Sequence, residues 1–202
     1  MRIIGLTGGI ASGKSTIARM LEKMGASVID ADQLSRDAVI PGSMALSEIA
    51  EEFGPSILNQ DGTLNRAALG KIIFADPDSR HLLEAITHPA IASLARERLD
   101  SLERKGVEVA VYMAPLLVEA GVSGRVDEIW VVFVDTETQV MRLMARDGIS
   151  REEALQRINS QMPMEEKRHF GKVVIDNRGS LDDAERQVRA AWEREVLNRY
   201  GE

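Results

Sequence analysis

Eight residues near the start of the chain have the types and spacing of a loop that wraps a polyphosphate: Gly8-Gly9-Ile10-Ala11-Ser12-Gly13-Lys14-Ser15. They match G-x-x-x-x-G-K-[ST] at every fixed position. The glycines let consecutive backbone N–H groups face the phosphates, Lys14 can reach the terminal phosphates, and the Ser15 hydroxyl can join the coordination sphere of Mg²⁺. We therefore predict an ATP site built from Gly9, Ala11, Ser12, Gly13, Lys14, Ser15 and Thr16, with Ser15 as the metal ligand.

The residues around this loop predict the elements that must position it. Arg2–Thr7 is a short apolar run that ends in glycines, which is typical of a buried parallel strand. Apolar residues recur at helical spacing between residues 15 and 24, and Gly25 ends that pattern. Residues 27–29 predict a second strand. This order is a βαβ unit, so we expect a parallel sheet with right-handed crossovers.

The chain from residue 33 to residue 105 is helical by pattern almost throughout. Ser43 and Asn65 each stand where an N-cap is expected, and Asp76-Pro77 predicts a helix with proline at its first position. So many helices exceed what one crossover between strands needs. The pattern therefore predicts an inserted helical subdomain.

Three more strands are predicted at residues 107–113, 129–134 and 173–175, which are rich in β-branched residues. Together with the first two they predict an α/β fold. Its centre is a doubly wound, five-stranded parallel sheet of the P-loop NTPase and kinase type, with a helical substrate-binding insert and a helical lid.

Helix-start patterns divide the second half of the chain. Capping boxes that begin at Thr136 and Ser150 predict a helical hairpin, and a last helix capped by Ser180 is expected to run to the C-terminus. We assign the nucleotide-binding core to residues 1–32, 106–136 and 166–202, the acceptor-binding subdomain to residues 33–105 and the lid to residues 137–165.

Composition narrows the class of protein. Hydrophobic residues make up 44% of the chain and the net charge is -7, so we expect a soluble protein without a basic surface for nucleic acid. There is no cysteine, which excludes disulfides and thiolate metal sites. The longest apolar stretch is far shorter than the roughly 20 residues that span a bilayer. We predict a cytoplasmic protein without a membrane partner.

The loop alone does not separate a kinase from a GTP switch or a motor. The base-reading motif N-K-x-D is missing from the sequence, and Asp176-Asn177-Arg178-Gly179 matches D-x-x-G only near the C-terminus. The short chain, the helical insert and the arginine-bearing hairpin favour a small-molecule kinase.

At this point the sequence resembles the dephospho-CoA kinase family over about residues 2–179, and the ordered signposts are more specific together than the loop alone. The resemblance implies Mg²⁺-dependent transfer of the ATP γ-phosphate to the ribose 3′-hydroxyl of dephospho-CoA, the last step of coenzyme A synthesis. The signposts are residues 7–16, Val28-Ile29-Asp30-Ala31-Asp32, His88-Pro89, Pro115-Leu116-Leu117-Val118-Glu119, Arg146-Asp147 and Val174-Ile175-Asp176-Asn177.

Two aspartates follow the second strand, at the sheet edge where open α/β folds bind their ligands. Asp32 could accept or orient the proton of the attacking hydroxyl and help to hold Mg²⁺, so we predict that it is catalytic. The alternative for Asp32 is a helix N-cap. For Asp30, the cap and metal-shell interpretations remain equally open.

The resemblance implies substrate contacts for His88, and Arg36 is a further candidate near Asp32. His88 precedes Pro89, which favours extended backbone, so we expect its ring at the start of a helix. It could equally be a locally hydrogen-bonded histidine. Residues 115–117, Pro115-Leu116-Leu117, could pack against the pantetheine arm or cap the core.

Arg142 and Arg146 are four residues apart and so lie on one face of the predicted lid helix. Either could stabilise charge on the transferring phosphoryl group, and the resemblance favours Arg146 as the catalytic residue. A solvated helix face is the alternative. Asn177 and Gly179 follow the last strand, so we predict that they border the adenine of ATP.

Two departures and three rivals complete the prediction. Met113-Ala114 ends the third strand where many P-loop proteins have an acid. Before Val174-Ile175 the chain reads Gly171-Lys172-Val173, where the family often has an acidic residue. The rivals are a kinase of a nucleoside or nucleoside monophosphate, a non-enzymatic nucleotide-binding regulator, and a catalytically silent relative.

Overall fold

The structure, a computed structural model, describes residues 1–197. Its five strands lie at the five places that the sequence predicts, and the doubly wound parallel sheet is confirmed. Their bounds are β1 (Arg2–Thr7), β2 (Ser27–Asp30), β3 (Val109–Met113), β4 (Glu128–Phe133) and β5 (Val173–Asp176).

Strand β1 lies at the centre of the sheet, whose order is β2-β3-β1-β4-β5. It pairs in parallel with β3 on one side and β4 on the other, so that Gly5 faces Tyr112 and Ile129. From β1 the chain proceeds to one side of the sheet, and it crosses to the other side only at β4. The carboxyl end of β1 is therefore at the point where such folds bind ligands.

Helices form most of the chain between β2 and β3, and others follow β1, β4 and β5. The helices are α1 (Lys14–Lys23), α2 (Ala31–Asp37), α3 (Met44–Phe53), α4 (Arg66–Ala75), α5 (Pro77–Arg104), α6 (Thr136–Asp147), α7 (Arg151–Asn159), α8 (Met164–Lys167) and α9 (Leu181–Trp192).

Most predicted helix starts are confirmed by their hydrogen bonds. The Ser43 side chain accepts from Leu46 N, and Asn65 accepts from Ala68 N. Ser150 forms the expected capping box with Glu153.

The predicted cap at Thr136 is wrong by one residue. Thr136 is the first residue of α6, and the preceding Asp135 accepts from Thr138 N at 2.7 Å. Aspartate and threonine are both good N-caps, and the capping-box pattern favoured Thr136 because Gln139 stands three residues after it. The Gln139 side chain makes a tertiary contact with Ile10 instead, so the box does not form.

The prediction that a helix starts after Pro89 is also wrong. Helix α5 continues through Pro89, so His88 lies inside it rather than at a helix start. Apolar residues on both sides of Pro89, such as Ile86 and Ile91, pack into the same core. That packing outweighs the hydrogen bond that proline cannot donate.

The chain divides into two compact units. Residues 1–29 and 102–197 form the sheet unit, and residues 30–101 form the helical unit. The sheet unit buries Leu6, Ile17 and Trp130 completely. The helical unit has a separate core around Ile49 and Ile57, both with 0% exposure.

The last helix is followed by a turn of π-helix, Glu193–Leu197. The expected continuation to the C-terminus lies outside the described residues. Of the helices in residues 1–197, none has the length and apolar character that crossing a membrane requires.

Candidate active site

The predicted phosphate-binding loop connects β1 to α1. Gly13 is the N-cap of α1 with φ 90°, and its carbonyl accepts from Thr16 N and Ile17 N. An added Cβ at Gly13 would collide with Nδ2 of Asn177, so only glycine fits. The backbone N–H groups of a helix's first turn point out of its N-terminal end, so this end of α1 is suited to binding an anion.

Lys14 folds back along the loop that precedes it. Its Nζ donates to the carbonyl oxygens of Gly8 at 2.8 Å and Gly9 at 3.0 Å. The ammonium group is therefore fixed by the same loop that would hold the phosphates. This is the position from which a lysine can compensate phosphate charge.

The three hydroxyls of the loop differ in their surroundings. Ser15 is exposed, Thr16 is half-buried, and Ser12 is completely buried. Among the described residues, Ser12 Oγ has no hydrogen-bond partner. The exposed Ser15 hydroxyl is an oxygen ligand of the kind that Mg²⁺ accepts together with phosphate oxygens and water.

The loop after β5 lies directly against the phosphate-binding loop. Asn177 is buried, and its Nδ2 donates to Ser12 O at 2.7 Å. The backbone N–H of Asn177 donates to Phe133 O, which extends the pairing of β5 with β4. Gly179 is exposed. The contact brings Asn177 beside the loop, and the adenine contact of both residues stays a prediction.

Arg142 and Arg146 have different partners although they share a helix face. Arg142 Nη2 donates to Asn177 O at 2.7 Å, and its Nη1 lies 3.4 Å from the carbonyl oxygens of Ala11 and Ser12. Arg142 therefore lies at the phosphate-binding loop. Spacing on a helix could not separate the two arginines, because their difference arises from what each contacts.

Arg146, which the sequence favours, is exposed and paired with Asp147 through two hydrogen bonds of 2.7 and 3.0 Å. Asp147 also pairs with Arg157 at 2.8 Å. The hydrogen bond from Arg146 holds the pKa of Asp147 below its ordinary value, so this carboxylate stays ionised.

Two predicted residues lie at the start of the helical unit. Asp30 is the N-cap of α2 and accepts from Asp32 N at 2.9 Å, which confirms its capping interpretation. Asp32 is exposed in the first turn of the same helix, so it is not the N-cap. This arrangement leaves the Asp32 carboxylate at the surface of its unit.

The other predicted acceptor-binding residues differ in how exposed their side chains are. Arg36 and His88 are exposed, as is Leu116 at 47%. Leu117 is completely buried, so its side chain belongs to the core. The carbonyl of Pro115 accepts from Thr7 Oγ1 at 3.1 Å and from Lys167 Nζ at 2.8 Å.

The sequence did not identify the buried polar residues that contact the phosphate-binding loop and the loop after β3. Lys167 is completely buried and paired with Glu119 at 2.7 Å, and Gln139 is 2% exposed. A polar residue on the buried face of an amphipathic helix was the available signal for Gln139. That signal indicates that the buried amide has a hydrogen-bond partner, but it does not say which residue the partner is.

Lys172 lies in the stretch that departs from the family pattern, and its ion-pair partners are two glutamates. It precedes β5, at the opposite end of that strand from Asn177, and pairs with Glu128 and Glu195. Burial opposes ionisation of Glu128, but hydrogen bonds from Lys172 and Arg2 outweigh it and hold its pKa below the ordinary value.

A parallel sheet ordered 2-3-1-4-5 with a phosphate-binding loop between β1 and α1 defines a P-loop kinase. The family model of dephospho-CoA kinase matches residues 2–183. The chain belongs to the dephospho-CoA kinase family, as the sequence predicts.

Individual relatives agree with this membership. The dephospho-CoA kinase of Geobacter sulfurreducens is 62% identical over 95% of this chain and 98% of its own length. A crystal structure of a Thermus thermophilus protein superposes with a TM-score of 0.82 at 39% identity, covering 96% of this chain and 98% of that one. The Campylobacter jejuni dephospho-CoA kinase gives 0.73 at 27% identity, covering 98% of this chain and 100% of that one.

Proposed function

We propose that the protein transfers the γ-phosphoryl group of ATP to the ribose 3′-hydroxyl of dephospho-CoA, giving ADP and coenzyme A in the cytoplasm. The observation that supports this most is the phosphate-binding loop, with Lys14 held over its carbonyls, in a chain of the dephospho-CoA kinase family. The 3′-oxygen forms a bond to the γ-phosphorus, and the bond from that phosphorus to the β–γ bridging oxygen breaks.

Residues of the loop would carry most of the phosphate charge. Backbone N–H groups from Ala11 to Thr16 and the Lys14 ammonium would bind the phosphates, because these groups surround the start of α1. Ser15 would hold Mg²⁺, which neutralises phosphate charge when it is bound. Asn177 and Gly179 would border the adenine.

Asp32 would take the proton of the 3′-hydroxyl or orient that hydroxyl for attack. Its exposed carboxylate at the start of α2 is suited to either task. Arg36, His88 and residues 115–117 would contact the acceptor, with the helical insert of residues 33–105 supplying much of its site.

An arginine of the predicted lid, residues 137–165, would stabilise charge on the transferring group. Arg146 has the family resemblance, whereas Arg142 already contacts the loop carbonyls. We assign the closing role to Arg146 and the holding of the loop to Arg142. Separate Arg142→Met and Arg146→Met variants test this assignment, because loss at Arg146 should appear in kcat and loss at Arg142 in ATP binding.

The reaction is tested by ADP release from Mg-ATP with dephospho-CoA, adenosine, AMP or no acceptor. Strong and selective stimulation by dephospho-CoA is expected. Stimulation by adenosine or AMP instead would replace the acceptor and keep the kinase. ATP binding without stimulation by any acceptor would favour a nucleotide-binding regulator.

The role of Asp32 is tested by Asp32→Asn, which keeps the size of the side chain and removes its charge. We expect most turnover to be lost while ATP binding stays close to that of the original protein. Asp78→Asn is the matched control, since Asp78 is likewise an exposed aspartate in the first turn of a helix. Full activity of Asp32→Asn would exclude the assignment.

A further inference from the structure

One residue of the phosphate-binding loop has an unfavourable backbone conformation. Ala11 has φ 59°, and among the described residues it is the one non-glycine with positive φ. The left-handed region is unfavourable for a residue with a Cβ, because the Cβ approaches the following carbonyl oxygen. Such a conformation persists where surrounding contacts impose it.

Two glutamine side chains hold the residue immediately before Ala11. Gln161 Oε1 accepts from Ile10 N at 2.8 Å, and Gln139 Nε2 donates to Ile10 O at 2.8 Å. Both backbone groups of Ile10 are thus fixed by amides. Gln139 lies in α6 and Gln161 shortly after α7, so one amide comes from each helix region of the hairpin.

The side chains of Gln139 and Met164 occupy the space beside Gly9. A Cβ added at Gly9 would lie 2.5 Å from Gln139 Nε2 and 2.9 Å from Met164 Sδ. The backbone N–H of Gly9 donates to Met164 Sδ at 2.9 Å. Glycine at this position is therefore explained by the side chains that approach the loop.

The segment that carries Gln161 and Met164 is itself anchored. Lys167, at the end of α8, is completely buried, donates to Pro115 O and pairs with Glu119. Glu119 Oε1 also accepts from Met162 N at 3.3 Å. The segment is tied at both ends to the loop after β3, so it provides a fixed support for Gly9 and Ile10.

We propose that Gln139 and Gln161 are positioning residues for ATP: they hold Ile10 and so keep Ala11 left-handed, with the N–H groups of the loop directed at the phosphates. They act through the backbone and do not touch the phosphates. This proposal rests on the proposed binding of ATP by the loop. It does not depend on which acceptor receives the phosphoryl group.

The test begins with Gln139→Met and Gln161→Met, which keep the length of the side chain and remove its amide. We expect the Kd for Mg-ATP, measured by titration calorimetry, to rise about 2- to 10-fold, as for one lost hydrogen bond. The KM for the acceptor should stay unchanged. Gln156→Met is the matched control, because Gln156 is an exposed glutamine on α7.

The decisive arm places the same variants in an Ala11→Gly background. Glycine adopts the left-handed conformation without the Cβ penalty, so the loop needs the glutamines less. We expect Gln161→Met to weaken ATP binding less in that background than with alanine at position 11. A merely structural role for Gln161 would give the same loss in both backgrounds.

Equal losses in the two backgrounds, or an effect of Gln156→Met as large as that of Gln161→Met, would overturn the proposal. So would an ATP affinity of both glutamine variants that equals that of the original protein. Gln161 is half-buried, so its variant carries the test even where Gln139→Met does not fold. Because ATP binding is the readout, failure of dephospho-CoA as acceptor would leave this test intact.

Discussion

The sheet unit and the helical unit use polar side chains in different ways. In the sheet unit they join residues that are far apart in the sequence, as Arg142 does with Asn177 and Gln161 with Ile10. In the helical unit they are typified by local contacts, such as Thr87 Oγ1 donating to Leu83 O at 2.8 Å. The helical unit is held together by its apolar core.

The difference indicates that the sheet unit requires accurate positions of its polar groups, whereas the helical unit requires a stable fold. Phosphoryl transfer requires groups to be held with small positional error, and hydrogen bonds between distant elements provide that geometry. An apolar core supplies free energy of folding but tolerates small rearrangements. Substitutions in the first kind of contact should change binding and turnover, and those in the second kind should change stability.

The largest expected effect is that of Lys14→Met. Losing the ammonium group should lower kcat about 10²- to 10³-fold, the range for removing one group that stabilises transition-state charge. Steady-state ADP release measures this loss. Lys23→Met, at the exposed end of α1, is the control. A comparable loss in the control would show that the effect is not specific to the loop.

The next effect, in the helical unit, is that of Ile49→Ala. Ile49 has 0% exposure, and the cavity should lower the free energy of unfolding by about 2–5 kcal/mol. Urea unfolding measures this change, and the exposed Ile40→Ala is the control. The Kd for Mg-ATP of the folded variant should be unchanged. Weaker ATP binding there would break the distinction between the units.

A smaller effect, on the free energy of unfolding, is expected near the start of β5. There Glu195 pairs with Lys172 and Arg194. The hydrogen bond from Lys172, followed by that from Arg194, lowers the pKa of Glu195 from 4.5 to about 2. A lowered pKa in the folded state means that this stabilisation is complete above pH 4.5 and is lost as the pH falls toward 2.

Glu195→Gln should therefore lower the free energy of unfolding at pH 7, and the difference from the original protein should shrink between pH 4.5 and 2. Chemical unfolding at several pH values measures it, with the exposed Glu193→Gln as control. A difference that does not depend on pH would contradict the assignment of the low pKa to Glu195.

Local features of the fold could be predicted from the sequence. The five strands, the caps at Ser43 and Asn65 and the loop before α1 each depend on residues close together in the chain. The start of α6 and the path of α5 through Pro89 could not be predicted, because tertiary contacts override the local preference.

The candidate site divides in the same way. The loop motif identifies Lys14 and Ser15, because all the residues that define their role lie in one contiguous stretch of sequence. Gln139 and Gln161 contact a backbone more than a hundred residues away, so no local pattern names them. Arg142 stands out from Arg146 only through its bonds to the loop and to Asn177.

The most direct test of the central claim is the ³¹P NMR spectrum of the product formed from Mg-ATP and dephospho-CoA. The account predicts a new phosphomonoester resonance that couples to the ribose H3′ proton, appearing in step with ADP. A phosphomonoester at another position, or inorganic phosphate without any new ester, would contradict it.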